Sequence, residues 1–157
     1  MRSSEGTIQT LSENAQIVPQ IAAVLDGCNL YPDLSAKENL TYLAKFKKIV
    51  SGKEIDEILD YVGLDPADVT PIKKYSTGMN KRLLIAQAIM EPMDILILDE
   101  PTNGLDEKGI EVLYRVIKEL RQKGKIILIT SHKREDIQVL CDVVYRMREG
   151  KLWQEGA

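Results

Sequence analysis

Cysteine is scarce in this 157-residue sequence: Cys28 and Cys141 stand alone, with no C-x-x-C spacing. Such a pair argues against a disulfide scaffold or a zinc site and fits a reducing compartment. Charge of one sign is also lacking. The formal net charge is -3 and no long run of acids or bases occurs, which argues against nucleic acid as the main partner. No apolar stretch approaches the roughly 20 residues that span a bilayer, so any work at a membrane is done from outside it. The opening residues, MRSSEGTIQT, are polar and carry no secretory pattern. Internal repeats and low-complexity linkers are absent. So is the phosphate cradle G-x-x-x-x-G-K-[ST]. The pairs Gly52-Lys53, Gly124-Lys125 and Gly150-Lys151 are followed by Glu, Ile and Leu, without the hydroxyl and preceding glycine that a cradle requires.

What remains is an ordinary soluble composition, 44% apolar and 29% charged, at the length of one domain. Residues 21–25, IAAVL, form a short apolar run suited to a buried strand. Ser35 and Glu38 make a capping box, and Leu40, Leu43, Ala44 and Lys47 follow at helical spacing. A second helix fits KEIDEILDYVGL, with Ile55, Ile58, Leu59 and Val62 on one face and Gly63 at its end. A third runs through TGMNKRLLIAQAIME and stops before Pro92. Strand 94–98, the helix EKGIEVLYRVIKELRQKG, strand 125–130 and a short helix in HKREDIQVLC follow. VVYRM, the turn REGK and LWQE form a last strand pair.

Apolar strands alternating with amphipathic helices predict an α/β fold: a mostly parallel sheet covered on both faces. Residues 1–34 and 92–157 supply the α/β core. Residues 35–91 read as an inserted all-helical subdomain. Ligands of open α/β sheets bind beyond the carboxyl ends of the strands. Asp26, Asp99, Glu100 and His132 all stand at such ends.

DILILDEPTNGLD, residues 94–106, carries the chemistry. Strands leaving a core often end in polar residues, and that is the plain reading of Asp99-Glu100. The chemical reading is sharper: one carboxylate holds Mg²⁺, directly or through water, and its neighbour orients or deprotonates an attacking water. His132, the one histidine, follows IILITS; alone it would pass for a surface or capping residue, but here it can reach a phosphate oxygen or the attacking water. YSTGMNKR, residues 75–82, opens a helix. It reads either as an ordinary N-cap or as an anion site of free N–H groups, a hydroxyl and an unobstructed Gly78.

The order and spacing of these segments resemble the ATP-binding-cassette ATPases, the motor domains of ABC transporters. Ser76-Thr77-Gly78-Met79 stands where that family has its signature loop. Ile95 to Asp99 matches Walker B and Glu100 the catalytic glutamate. Asn103, Gly104, Leu105 and Asp106 match the D-loop, and His132 the switch histidine. IAAVLDGCNLYPDLSAKENL resembles the segment around the Q-loop, where Asp26 takes the place of the glutamine. The STGM form is most like transporters that export antibiotics, peptides or drugs. The resemblance implies a P-loop NTPase fold, ATP and Mg²⁺ as ligands, and a catalytic role for Glu100 and His132. It also implies that the signature loop serves a second ATPase domain in a homodimer. A membrane-spanning permease is the further partner, and the place of work is the cytoplasmic face of the membrane. SSEGTIQT resembles the stretch just after the Walker A helix. The chain is therefore expected to start beyond the P-loop and the adenine-stacking aromatic residue, and to be inactive alone.

Two other readings stay open. One is a non-catalytic association module, which nucleotide binding would distinguish. The other is an ABC-type ATPase of DNA repair, disfavoured by the short helical insertion and the lack of heptads. The resemblance also implies a P-loop strand inside the sheet, between the strand ending at Thr130 and a later one, as in related P-loop ATPases. Without it, that strand and VVYRM are expected to have unpaired edges and to uncover Ile127 and Ile129; the gap then closes by rearrangement, takes a second copy, or leaves the chain soluble only as an associated species, and self-association is the expected outcome.

Overall fold

A computed structural model describes residues 19–25, 30–47 and 52–155 of the chain. Asp26 and Cys28 lie outside the described residues. Three strands form a parallel sheet in the order β1-β2-β3: β1 is Ile21–Val24, β2 Ile95–Asp99 and β3 Ile126–Thr130. Ile21, Ile95 and Ile126 stand side by side, and Asp99 pairs with Thr130 at the carboxyl end.

Between β1 and β2 the described chain is helical: α1 at Ala36–Lys47, α2 at Gly52–Tyr61, a single 3₁₀ turn at Ile72–Lys74 and α3 at Thr77–Ile89. The predicted capping box is present. Ser35 N–H donates to Glu38 Oε2 at 2.8 Å and Glu38 N–H donates back to Ser35 Oγ at 3.3 Å. Gly63 ends α2 in the left-handed region, at φ 75°, and Leu64 N–H reaches Leu59 O at 2.9 Å. That is the glycine-dependent close of a helix, open to few other residues. Ile55, Leu59 and Val62 turn inward on the face their spacing predicts.

α4 (Glu107–Gln122) returns between β2 and β3, and α5 (Arg134–Leu140) follows β3. Strand, helix and parallel strand make the crossover that such a sheet requires. α3 lies against β1 and α4 against β3. Leu96 and Leu98 of β2 are each 1% exposed beneath them. Removing such a side chain from water stabilises the fold by roughly 1.5–3 kcal/mol.

Strand side chains alternate between the two faces, and the expectation of a sheet covered on both faces fails among the described residues. Ala22, Val24, Leu96, Leu98, Ile127 and Ile129 belong to the packed face. Ile21, Ile126 and Leu128, on the other, are 60%, 63% and 57% exposed. Ile127 and Ile129 are thus packed against the core, contrary to expectation, and the uncovered side chains are their neighbours one residue away. Register decides this, because a shift of one residue exchanges the faces.

β3 has β2 on one side and, among the described residues, no strand on the other. β4 (Tyr145–Arg148) and β5 (Lys151–Gln154) form the expected antiparallel pair as a separate hairpin. Its turn places Glu149 at φ 50° and Gly150 at φ 74°, the two positive values that tight hairpins favour.

Candidate functional site

The carboxyl ends of β2 and β3 bring the predicted pair together. His132 Nδ1 lies 2.8 Å from Glu100 Oε1. The imidazole side chain is 69% exposed and the carboxylate 26%. An ionised carboxylate only accepts, so in this contact Nδ1 carries the hydrogen; Nε2 then accepts in the neutral ring and donates in the charged one. Parallel pairing is the cause of the meeting: Asp99 registers with Thr130, which places the residues just beyond each strand side by side.

Glu100 is held at each of its polar ends. Its N–H donates to Thr130 O at 3.0 Å. Its carbonyl accepts from Asn103 N–H at 3.1 Å and from Lys81 Nζ at 2.7 Å. Asn103 Nδ2 stands 3.4 Å from Oε2. The φ of Glu100 is 43°, a left-handed value that costs a residue with a side chain roughly 1–3 kcal/mol and gathers at functional sites.

Asp99 sits beside it at the end of β2 and accepts from Thr130 Oγ1. No group of three or more His, Cys, Asp or Glu among the described residues forms a closed metal cage. One or two carboxylates, such as Asp99 and Glu100, are the ligand type that would hold Mg²⁺ together with waters and substrate phosphates.

The predicted signature loop and D-loop meet each other within the chain. Ser76 caps α3, its side chain accepting from Met79 N–H at 3.2 Å. A Cβ built on Gly78 would stand 2.9 Å from Gly104 O, and one on Gly104 would stand 2.7 Å from Thr77 Cγ2. Gly104 also has φ 77°. Close backbone approach therefore requires glycine at 78, and the positive φ beside the Thr77 side chain requires it at 104. Asp106 caps α4, with Oδ1 accepting from Gly109 N–H at 3.0 Å, and Leu105 packs beside it.

Beneath the site lies a buried network that motif reading missed. Asp136, 2% exposed, accepts from Thr102 Oγ1 at 2.6 Å, Tyr114 Oη at 2.8 Å and Ser131 Oγ at 2.9 Å. Burial works to raise its pKa, but these hydroxyls and the nearby Lys133 outweigh it and hold the carboxyl below its usual 3.8. The Tyr114 phenol is pushed up to about 12 by burial and by the Asp136 bond. The network clamps the loop after Glu100 to the helix after His132. Its members are up to 34 positions apart, and no spacing rule links them.

The family model described as ABC transporter matches residues 1–103. The chain is 39% identical over 153 residues to the uncharacterized ABC transporter ATP-binding protein YybJ of Bacillus subtilis, covering 95% of this chain and 70% of that protein. It is 38% identical to the bacitracin transport ATP-binding protein BcrA of Bacillus licheniformis, over 99% of this chain and 53% of that one. Against the lantibiotic transport ATP-binding protein SrtF of Streptococcus pyogenes it is 37% identical, over 85% and 58%. It thus spans seven-tenths of the first of these relatives and little more than half of the others. The family match ends before His132, and the relatives carry the likeness across the remainder of the sheet. Paired carboxylates at a strand end, a histidine at the next and a majority of the chain matched lead to one conclusion: the chain belongs to the ABC transporter ATP-binding family, a family of ATPases.

Proposed function

We propose that this chain is the ATP-binding part of an ABC transporter, coupling ATP hydrolysis to movement of a substrate across a membrane. The contact of His132 Nδ1 with Glu100 Oε1 at 2.8 Å carries the reading. A carboxylate next to an imidazole at a sheet edge can orient and deprotonate water while the histidine turns to a phosphate oxygen. Asp99 would hold Mg²⁺, which supplies charge neutralisation on the phosphates when bound. Asp26, at the Q-loop position, is a further candidate ligand for the metal or its water.

Ser76, Thr77, Gly78 and Met79 are proposed to serve the nucleotide of a second ATPase domain. Asn103, Gly104, Leu105 and Asp106 link that loop to Glu100. The partners are a second such domain, in a homodimer, and a membrane-spanning permease; nucleic acid is not among them. Residues 35–91 would act as the helical subdomain, and 1–34 with 92–157 as the α/β core. No helix among the described residues is long and apolar enough to cross a membrane. A peripheral place on the cytoplasmic membrane face fits the reading.

Alone, this sequence contains no G-x-x-x-x-G-K-[ST]. The amides and lysine of that loop supply much of the phosphate binding and charge stabilisation. Steady-state phosphate release with Mg²⁺-ATP is expected to stay far below a family-like rate. Turnover by the chain alone that vanishes in Glu100→Gln would refute the expected inactivity while supporting the role of Glu100.

A further inference from the structure

We infer that Lys81 is a positioning residue for Glu100: from the helix that carries the signature loop, it fixes the left-handed backbone turn that points the Glu100 carboxylate at His132. The inference rests on the reading of Glu100 as the water-handling carboxylate.

Three observations carry it. First, Lys81 is only 6% exposed, and its Nζ donates to Glu100 O at 2.7 Å. Lysine is almost never so buried without specific partners. Second, that carbonyl already accepts from Asn103 N–H at 3.1 Å. One partner satisfies a carbonyl, so a second and costly donor fixes its direction as well. Third, Glu100 adopts φ 43° although Pro101 follows it. A residue before proline is driven to extended backbone. Two local preferences therefore oppose the observed turn, and tertiary contacts must hold it.

Thr130 O holds the Glu100 amide at 3.0 Å, and Lys81 with Asn103 holds the carbonyl. With both peptide planes pinned, the Cα–Cβ direction is set and the carboxylate reaches His132 at 2.8 Å. Lys81 stands about one helical turn beyond Thr77, the first residue of α3. A shift of the signature helix would therefore be felt directly at Glu100.

The test uses the full chain without nucleotide. The chain has one histidine, so a long-range ¹H–¹⁵N correlation spectrum shows a single imidazole. Glu100→Ala sets the Nδ1 position that follows loss of the carboxylate contact. Lys81→Met is expected to move Nδ1 to that same position, and Lys81→Arg, which keeps a donor, to restore the parent position. A folded Lys81→Met that keeps the parent Nδ1 shift would overturn the inference. So would failure of both Lys81→Met and Lys81→Leu to fold, because the Asn103 bond remains and an orienting role demands little of the fold. Because no ATP is present, failure of the hydrolytic reading would leave this result standing, and the reverse also holds.

Discussion

Gly78 and Gly104 meet backbone to backbone, so closely that a Cβ on the first would lie 2.9 Å from the carbonyl oxygen of the second. The contact joins the start of α3 to the turn after β2 inside one chain. Alanine in a helix normally gains up to about 1 kcal/mol over glycine. Here the obstacle is backbone and cannot rotate away, and overpacking costs about 1–3 kcal/mol. Gly78→Ala is therefore expected to destabilise, by about 1 kcal/mol net. Gly104→Ala should cost more, since its φ of 77° adds strain to the 2.7 Å approach to Thr77. Urea midpoints would measure both; a Gly78→Ala protein more stable than its parent would refute the packing account.

The same glycine separates two roles. If Gly78 also serves a partner's nucleotide, Gly78→Asp in a protein supplied with a P-loop should block ATP-dependent dimerisation and spare monomer affinity. Equal loss of both in equilibrium binding would leave packing as its sole role.

Asp136 predicts a pH dependence. Its folded pKa lies below the usual 3.8, so in acid the unfolded chain takes up the proton first. Stability from this group is complete above 3.8 and is lost as pH falls through the folded value. Asp136→Asn should flatten that acid limb, and a limb of unchanged steepness would remove Asp136 as its source. At neutral pH, Asp136→Ala strands hydroxyls of Thr102, Tyr114 and Ser131 and is expected to cost about 2–4 kcal/mol.

The outer side of β3 predicts association with a second copy. Ile126 and Leu128 are 63% and 57% exposed beside an edge with no described partner strand. An apolar edge strand is a template for pairing. Sedimentation at high concentration should show species heavier than a monomer, and Leu128→Lys should reduce them. A parent chain that stays monomeric throughout would contradict this.

Local chemistry in the sequence was enough to locate nearly every element. The Ser35–Glu38 box, Gly63, Gly124 and the uniform apolarity of residues 95–98 and 126–129 mark ends and strands through short-range effects. The segment DILILDEPTNGLD announced its carboxylates for the same reason. Tertiary structure alone decided which face of β3 is packed, because Ile126 to Ile129 are all apolar and no alternation distinguishes the faces. It alone set Glu100 in the left-handed region, against the preference imposed by Pro101, through Thr130, Asn103 and Lys81. It alone gathered Thr102, Tyr114 and Ser131 around Asp136, since hydrogen bonds between distant residues depend on how strands register and helices pack, and leave no periodic trace along the chain.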